Sequence, residues 1–459
     1  MDEIYFYDFQ SYVVGGCVRD SLLGKTPKDW DITTDATPAQ MKRIFVMHRD
    51  RVIPTGEKYG TITVLMNDIP YEITTFRADG LYSDGRRPDS VTFSKTIEED
   101  LSRRDFTINA MAYNDERGLI DLYGGERDLQ NKIIRCVGNP EQRFREDALR
   151  IMRAIRFAVF LGFDIEKETL NAIYECGELL ENISFERIRD ELIKILSYIQ
   201  EDEKKSQKYR DIIAYIIKRT IPEFRELVQI THNNQYHYTD VFNHTLDVVF
   251  NIHTNNTVDL FAALLHDIGK IKARTFDEKY LTNHYHGHEQ YSIEMAKTIL
   301  KRLCFDNKTI KDILLLIKYH DYELLPTKKC AKKLLNELNL ALIDRLINLQ
   351  IHDKQAHRYG KMYTWGYTEN DRDNPHVKNY YNILKFGDIA QKVIDENEVF
   401  GQKDVAINGN DLIKLGFNQG KELGDMLKKC LEYIIENPDK NNKEDLIDYV
   451  KGEIQNCQT

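Results

Sequence analysis

VVGGCVRDSLLGKTPKDWDITTDA, residues 13–36, decides how the N-terminal part of the chain folds. A run of β-branched residues stops at Gly15-Gly16, which predicts a strand end followed by a short helix carrying Arg19. After Gly24 and Pro27 a second extended segment presents Asp29 and Asp31. Side chains alternate along a strand, so the two aspartates are expected on one face, with Trp30 and Ile32 turned into packing. Two carboxylates on one face repel each other unless a cation joins them. Mg²⁺ suits the pair, because it takes oxygen ligands and keeps substrate phosphates in its shell. Paired ions of this kind activate an attacking hydroxyl and stabilise departing pyrophosphate. Gly15 and Gly16 leave room for a phosphate at the helix N-terminus, and Arg19 adds a bidentate donor.

Working outward, TITVLMN (61–67) and YEITTFR (71–77) read as a hairpin joined through Asn67-Asp68-Ile69-Pro70. Glu72 is either a third carboxylate on the same sheet or an exposed strand glutamate. From about residue 126 onward, apolar positions recur with helical spacing and β-branched runs are few. The expected class is α+β, a palm-like head with a small β-sheet followed by helices. The divisions expected are a head at 1–125, a neck at 126–200, a body at 201–380 and a tail at 381–459. Polar breaks at 199–211, 365–376 and 436–445 punctuate it.

The 459 residues are too many for one ordinary core. The seven cysteines are scattered without CxxC spacing, which argues against a disulfide framework and structural zinc. No apolar run approaches membrane-spanning length and the opening MDEIYFYDFQ has no basic leader, so a cytoplasmic protein without a membrane segment is expected. The net charge of −10 argues against bulk affinity for nucleic acid and leaves room for a local basic track.

Such a track lies in REDALRIMRAIRF, residues 145–157, read as one helix. Asp147 and Arg150 stand at i, i+3, with Arg153 and Arg156 continuing at the same step. One reading is structural ion pairing on a helix surface. The other is base recognition: cytosine and adenine each pair a ring-nitrogen acceptor with an exocyclic amine donor, matching an arginine beside a carboxylate. Uracil and guanine reverse the ring-nitrogen polarity, and mismatched buried polar groups can discriminate by roughly 10⁴-fold.

GGCVRD…KDWDI, EITTFRADGLYSDGRRPDSVTF, RRDFTINAMAYN and REDALRIMRAIRFAVFLGF together resemble, in order, the motifs of class II CCA-adding enzymes, the tRNA nucleotidyltransferases. The resemblance covers about residues 11–197. It implies a nucleotidyltransferase head that adds CCA to tRNA from CTP and ATP with Mg²⁺. It also implies Asp29 and Asp31 as catalytic metal ligands, and Gly16 and Arg19 as nucleotide contacts. Arg104, Asp105 and Asn109 would recognise ribose, Asp147 and Arg150 the base, and Arg153 and Arg156 the nucleotide. The segment Asp79–Phe93 resembles the family's flexible loop, and ISFERIRDELIKIL (183–196), with Ser184 as N-cap, its neck helix. Trp30 between the two aspartates departs from the family pattern.

LFAALLHDIGK, with His244 before it and Asp353 after it, resembles the HD phosphohydrolases. That resemblance implies His244, His266, Asp267 and Asp353 as ligands of a divalent transition metal such as Ni²⁺ or Mn²⁺. His288 and His320 would serve a second ion or the phosphate. The tail resembles bacterial tRNA-gripping segments, and a monomer or homodimer is expected. Two rivals remain open: a poly(A) polymerase or A-adding enzyme of the same superfamily, and an HD phosphohydrolase with an RNA-binding head.

Overall fold

The computed structural model describes residues 1–79, 91–200, 203–228, 230, 240–280, 282–356 and 375–456. Residues 80–90 of the expected flexible loop, and most of the break at 365–376, lie outside them. The chain divides into two compact units, Met1–Pro222 and Glu223–Thr459.

The described residues of the first unit hold eleven strands: β1 (Ser11–Val14), β2 (Asp31–Thr34), β3 (Arg51–Gly56), β4 (Thr61–Met66), β5 (Ile69–Thr75), β6 (Arg77–Asp79), β7 (Val91–Phe93), β8 (Met111–Asn114), β9 (Gly118–Asp121), and a short parallel pair, β10 (Ile133–Ile134) with β11 (Asp164–Ile165). Seven of them form one sheet in the order β3-β4-β5-β2-β1-β8-β9, while β6 and β7 pair separately. All neighbours in the seven-stranded sheet are antiparallel except β2 and β5. The β4–β5 hairpin forms as expected. Asn67 and Asp68 both adopt positive φ (51° and 63°), the turn whose twist suits a two-residue hairpin, so Ile69 and Pro70 belong to β5.

One sheet face buries Ile32, Ile62, Val64 and Ile73 against Met41 and Phe45 of the helix Pro38–Met47. That helix starts on a Thr37/Gln40 capping box with Pro38 in its first turn. Each such buried side chain contributes about 1.5–3 kcal/mol. The helix Leu149–Leu161 packs along the neck helix Phe185–Ile199 and stops at Gly162, whose φ of 74° is the left-handed C-terminal cap. Ser184 sits at the N-cap of the neck helix, but its hydroxyl makes no capping bond.

Among its described residues the second unit has helices and one short ladder, between Thr275–Asp277 and Thr282–His284. Its first part brings together the helices Val241–Asn251, Thr257–Leu265, His288–Arg302, Asn307–Tyr319 and Leu340–Ala356. The C-terminal helices gather around their own cluster of Leu412, Cys430, Leu431, Ile434, Leu446 and Val450. No helix of the described residues is long and apolar enough to cross a membrane.

Candidate functional site

The parallel pairing of β2 with β5 puts Asp31 directly beside Glu72, while the next pair, Ile32 and Ile73, is buried on the opposite face. Register therefore places Glu72 as a carboxylate neighbour of Asp31 on the accessible face. Asp29 precedes the strand in a bend rather than continuing it, and its charge reaches Asp31. Trp30 does not turn into packing as the alternation suggested; it is 41% exposed, because β2 begins only at Asp31. Burial raises the Asp31 carboxyl above its ordinary range, Arg104 opposes the rise and Asp29 adds to it. Asp29, Asp31 and Glu72 offer the all-oxygen donors that suit a hard divalent cation, but their carboxylate oxygens are not gathered within 4.8 Å of one another as the ligand atoms of the body cluster are.

Gly15, at φ +75°, lets the chain turn from β1 into the helix Gly16–Leu22. A Cβ here would lie 2.9 Å from Nη1 of Arg104, so the missing side chain lets that guanidinium approach the backbone. Arg19 is buried and donates from Nη1 to Oδ1 of Asn109 at 2.8 Å. Asn109 in turn donates to Oδ1 of Asp105 at 3.3 Å, and Oδ2 of Asp105 accepts Nε and Nη2 of Arg153 at 2.9 and 2.5 Å. Burial disfavours an ionised Asp105, but the Arg153 charge and hydrogen bonds outweigh it and bring the carboxyl down to about 2. Arg19, Arg153 and Arg156 all stand over the Phe157 ring, at 5.3, 5.5 and 4.2 Å. Arg104 is held by Asp100, and Arg156 by Glu191 of the neck helix.

The stretch 145–157 is not one helix. A first helix, Pro140–Glu146, ends at Asp147, which has extended backbone angles, and a second begins at Leu149. Aspartate favours this place because its carboxylate accepts the otherwise orphaned Leu149 N–H at 3.0 Å. Asp147 and Arg150 consequently form no ion pair with each other. Oδ2 of Asp147 accepts Nη2 of Arg187 at 2.8 Å, while Arg150 donates to Glu146 at 2.7 Å and to the carbonyls of Arg143 and Arg103.

Sequence reasoning therefore missed Glu146, Arg187 and Phe157. Glu146 was visible as an i, i+4 partner of Arg150. Arg187 lies 40 residues from Asp147, and Phe157 read as an ordinary core residue, so neither left a local signal.

In the second unit His244, His266, Asp267 and Asp353 converge in a buried cluster. Nε2 of His244 lies 3.0 Å from Oδ1 of Asp353, and Nε2 of His266 lies 3.3 Å from Oδ2 of Asp267 and 3.5 Å from Oδ1 of Asp353. Nδ1 of His266 is 2.8 Å from the Ala263 carbonyl, which leaves Nε2 as the buried nitrogen without a hydrogen-bond partner, facing the carboxylates. An imidazole oriented in this way by a carbonyl is the usual arrangement of a metal ligand, so the residues fit a divalent ion. Burial disfavours a charged His266, yet Asp267 and then Asp353 outweigh it and raise the ring to about 10. Burial pushes His320 down.

Four family profiles match. They are the poly A polymerase head domain at 11–135, a probable RNA and SrmB-binding site of polymerase A at 162–200, the HD domain at 241–349, and tRNA nucleotidyltransferase domain 2 at 382–450. The CCA-adding enzyme of Ligilactobacillus salivarius is 33% identical over 454 residues, spanning 98% of this chain and 94% of that protein. That of Enterococcus faecalis is 53% identical over 194 residues, a match that spans 42% of this chain and 47% of that protein. The solved structure of the Bacillus stearothermophilus CCA-adding enzyme in complex with CTP is similar at a TM-score of 0.64 and 25% identity, covering 99% of this chain and 97% of that one.

Proposed function

The chain belongs to the CCA-adding enzyme family, and from that premise we propose that its first unit adds C, C and A to tRNA 3′ ends, using CTP, ATP and Mg²⁺. The observation that carries this reading is the Asp31–Glu72 carboxylate row beside an arginine-lined wall of Arg19, Arg104, Arg150, Arg153 and Arg156. Asp29 and Asp31, with Glu72 as the third carboxylate, hold the ion; when bound, it lowers the pKa of the attacking 3′-hydroxyl and balances charge on the leaving pyrophosphate. Gly16 and Arg19 receive the nucleotide's phosphates, and Arg104 and Asn109 its ribose. Both Asp105 oxygens are engaged, so Asp105 acts as a positioning residue that holds Arg153 and Asn109.

Asp147 and Arg150 read the base edge. Their separate partners favour this role, because each is fixed from behind and neither neutralises the other. Asp147 keeps lone pairs for the exocyclic amine of C or A, and Arg150 keeps Nε and one Nη2 hydrogen for the ring nitrogen. The tail, within which 382–450 matches tRNA nucleotidyltransferase domain 2, contributes tRNA contacts.

A second activity, metal-dependent phosphoester hydrolysis in the body, is supported by the buried cluster of His244, His266, Asp267 and Asp353. Ni²⁺ and Mn²⁺ suit its mixed nitrogen and oxygen donors.

The test is extension of a tRNA lacking its last three nucleotides, with Mg²⁺ and with CTP and ATP supplied singly and together. Growth that stops at CCA is expected. A long A tail would instead identify a poly(A) polymerase, and no extension would overturn the reading of the head.

A further inference from the structure

Each arginine around the nucleotide site has an acid behind it: Asp20 for Arg19, Asp100 for Arg104, Glu146 for Arg150, Asp105 for Arg153 and Glu191 for Arg156. Of these acids Asp100 alone has no exposed side-chain surface. We propose that Asp100 is a positioning residue for sugar selection: its carboxylate holds the Arg104 guanidinium where that group donates to the 2′-hydroxyl of the incoming CTP or ATP. The preference for a ribonucleotide over its deoxy counterpart then depends on a side chain that touches neither. The proposal rests on reading Arg104 as a ribose contact.

Three observations carry it. First, the two oxygens of Asp100 are divided between two arginines. Oδ1 accepts Nε and Nη2 of Arg103 at 3.1 and 2.7 Å, which leaves Oδ2 to accept Nη2 of Arg104 at 3.2 Å. Burial disfavours an ionised Asp100, but Arg103 and then Arg104 outweigh it and hold the carboxyl below its ordinary range, so it is an anion at neutral pH. Second, Asp100 is the side chain that anchors Arg104 among the described residues, and the buried Nε of Arg104 has no hydrogen-bond partner there. The other acid that this guanidinium acts on is Asp31. A guanidinium released from Asp100 is therefore drawn toward the carboxylates proposed to hold the ion.

Third, the opposite edge of the same guanidinium meets backbone. Nη1 of Arg104 occupies the space that a Cβ on Gly15 would need, 2.9 Å away, at the turn that receives the nucleotide. Arg104 is thus gripped from Asp100 on one edge and bounded by Gly15 on the other. The backbone between Asp100 and Arg104 is short and fixed, since Asp100 closes the helix Ile97–Ser102 and the Arg104 N–H donates to the Leu101 carbonyl at 3.3 Å. A donor fixed in this way discriminates strongly, because a sugar without the hydroxyl leaves it unpaired in a site it cannot leave. A donor free to swing loses that discrimination, since it finds water or another acid when the hydroxyl is missing.

The test uses the full chain and a tRNA lacking its last two nucleotides, which accepts a single C, with kcat/KM measured for CTP and for dCTP. Asp100→Asn keeps the shape of the side chain and removes its charge. It should lower the preference for CTP over dCTP about tenfold or more, through a fall in the CTP value with the dCTP value little changed. Arg104→Ala should lower the preference likewise, and adding Asp100→Asn to it should lower the preference no further. Asp100→Asn together with Arg103→Gln removes an arginine along with the acid and gives the same readout should the single variant not fold. Equal losses with CTP and dCTP, or a further loss on adding Asp100→Asn to Arg104→Ala, would overturn the positioning role. An unchanged preference in Arg104→Ala itself would instead overturn the reading of Arg104 as the ribose contact.

Discussion

Asp105 shows how much a single side chain carries. Its carboxyl, brought to about 2 by Arg153 against the effect of burial, lies below the value near ~3.9 that it would take in the unfolded chain. A depressed acid stabilises the fold above its unfolded pKa, so the contribution is complete at neutral pH. It is lost as the pH falls from about 4 through about 2. Denaturant unfolding of the protein and its Asp105→Asn variant should therefore show about 1 kcal/mol of stability, roughly half of the full contribution, that is lost between pH 7 and pH 3 in the first and not in the second. If the two lose stability in parallel, Asp105 does not hold Arg153 in solution. The motif RRDFTIN drew attention to this residue, but a motif cannot tell a side chain that touches the nucleotide from one that braces the arginine beside it. Counting what already occupies both oxygens makes that distinction. The arginines around Phe157 show the same limit, since a phenylalanine on an apolar helix stripe looks like core until three guanidinium groups are found within 5.5 Å of its centre.

Between elements, the decisive contact is the one from the neck helix to the break between the two preceding helices. Arg187 fixes the carboxylate of Asp147, whose other oxygen accepts the Leu149 N–H at the start of the following helix. Arg187→Met keeps the stem of the neck helix and removes only this grip. Extension with CTP and ATP should persist, while preference for CTP over UTP falls on the order of tenfold or more, read from kcat/KM for single-nucleotide addition. Unchanged selectivity would mean that Asp147 needs no brace. The sequence correctly suggested both residues' helical surroundings, yet it drew 145–157 as a continuous helix. Its apolar spacing is nearly unbroken, and a capping aspartate resembles a helical one until backbone angles are known. The Asp31–Glu72 pairing has the same character. Each strand was recognisable, but their parallel adjacency depends on a crossover that local pattern does not encode.

At the scale of the molecule, the two candidate sites lie in separate compact units and share no residue. Asp31→Ala should reduce tRNA extension on the order of 10³-fold or more while leaving Ni²⁺- or Mn²⁺-dependent phosphoester hydrolysis intact, and His266→Ala should do the reverse. Loss of both activities in either variant would contradict that division. The order of motifs along the chain determined the α+β class, the family and the identity of most candidate residues. The class depends on local composition and periodicity, which one chain carries in itself, whereas the family and most of the residues rest on the resemblance of those motifs to known families. Only tertiary structure decided which carboxylate stands beside Asp31, which arginine holds Asp147, and that His244, His266, Asp267 and Asp353 meet in one buried cluster. Each of these joins residues from separate elements, and such contacts arise from how strands register and helices pack, not from any feature of either stretch alone.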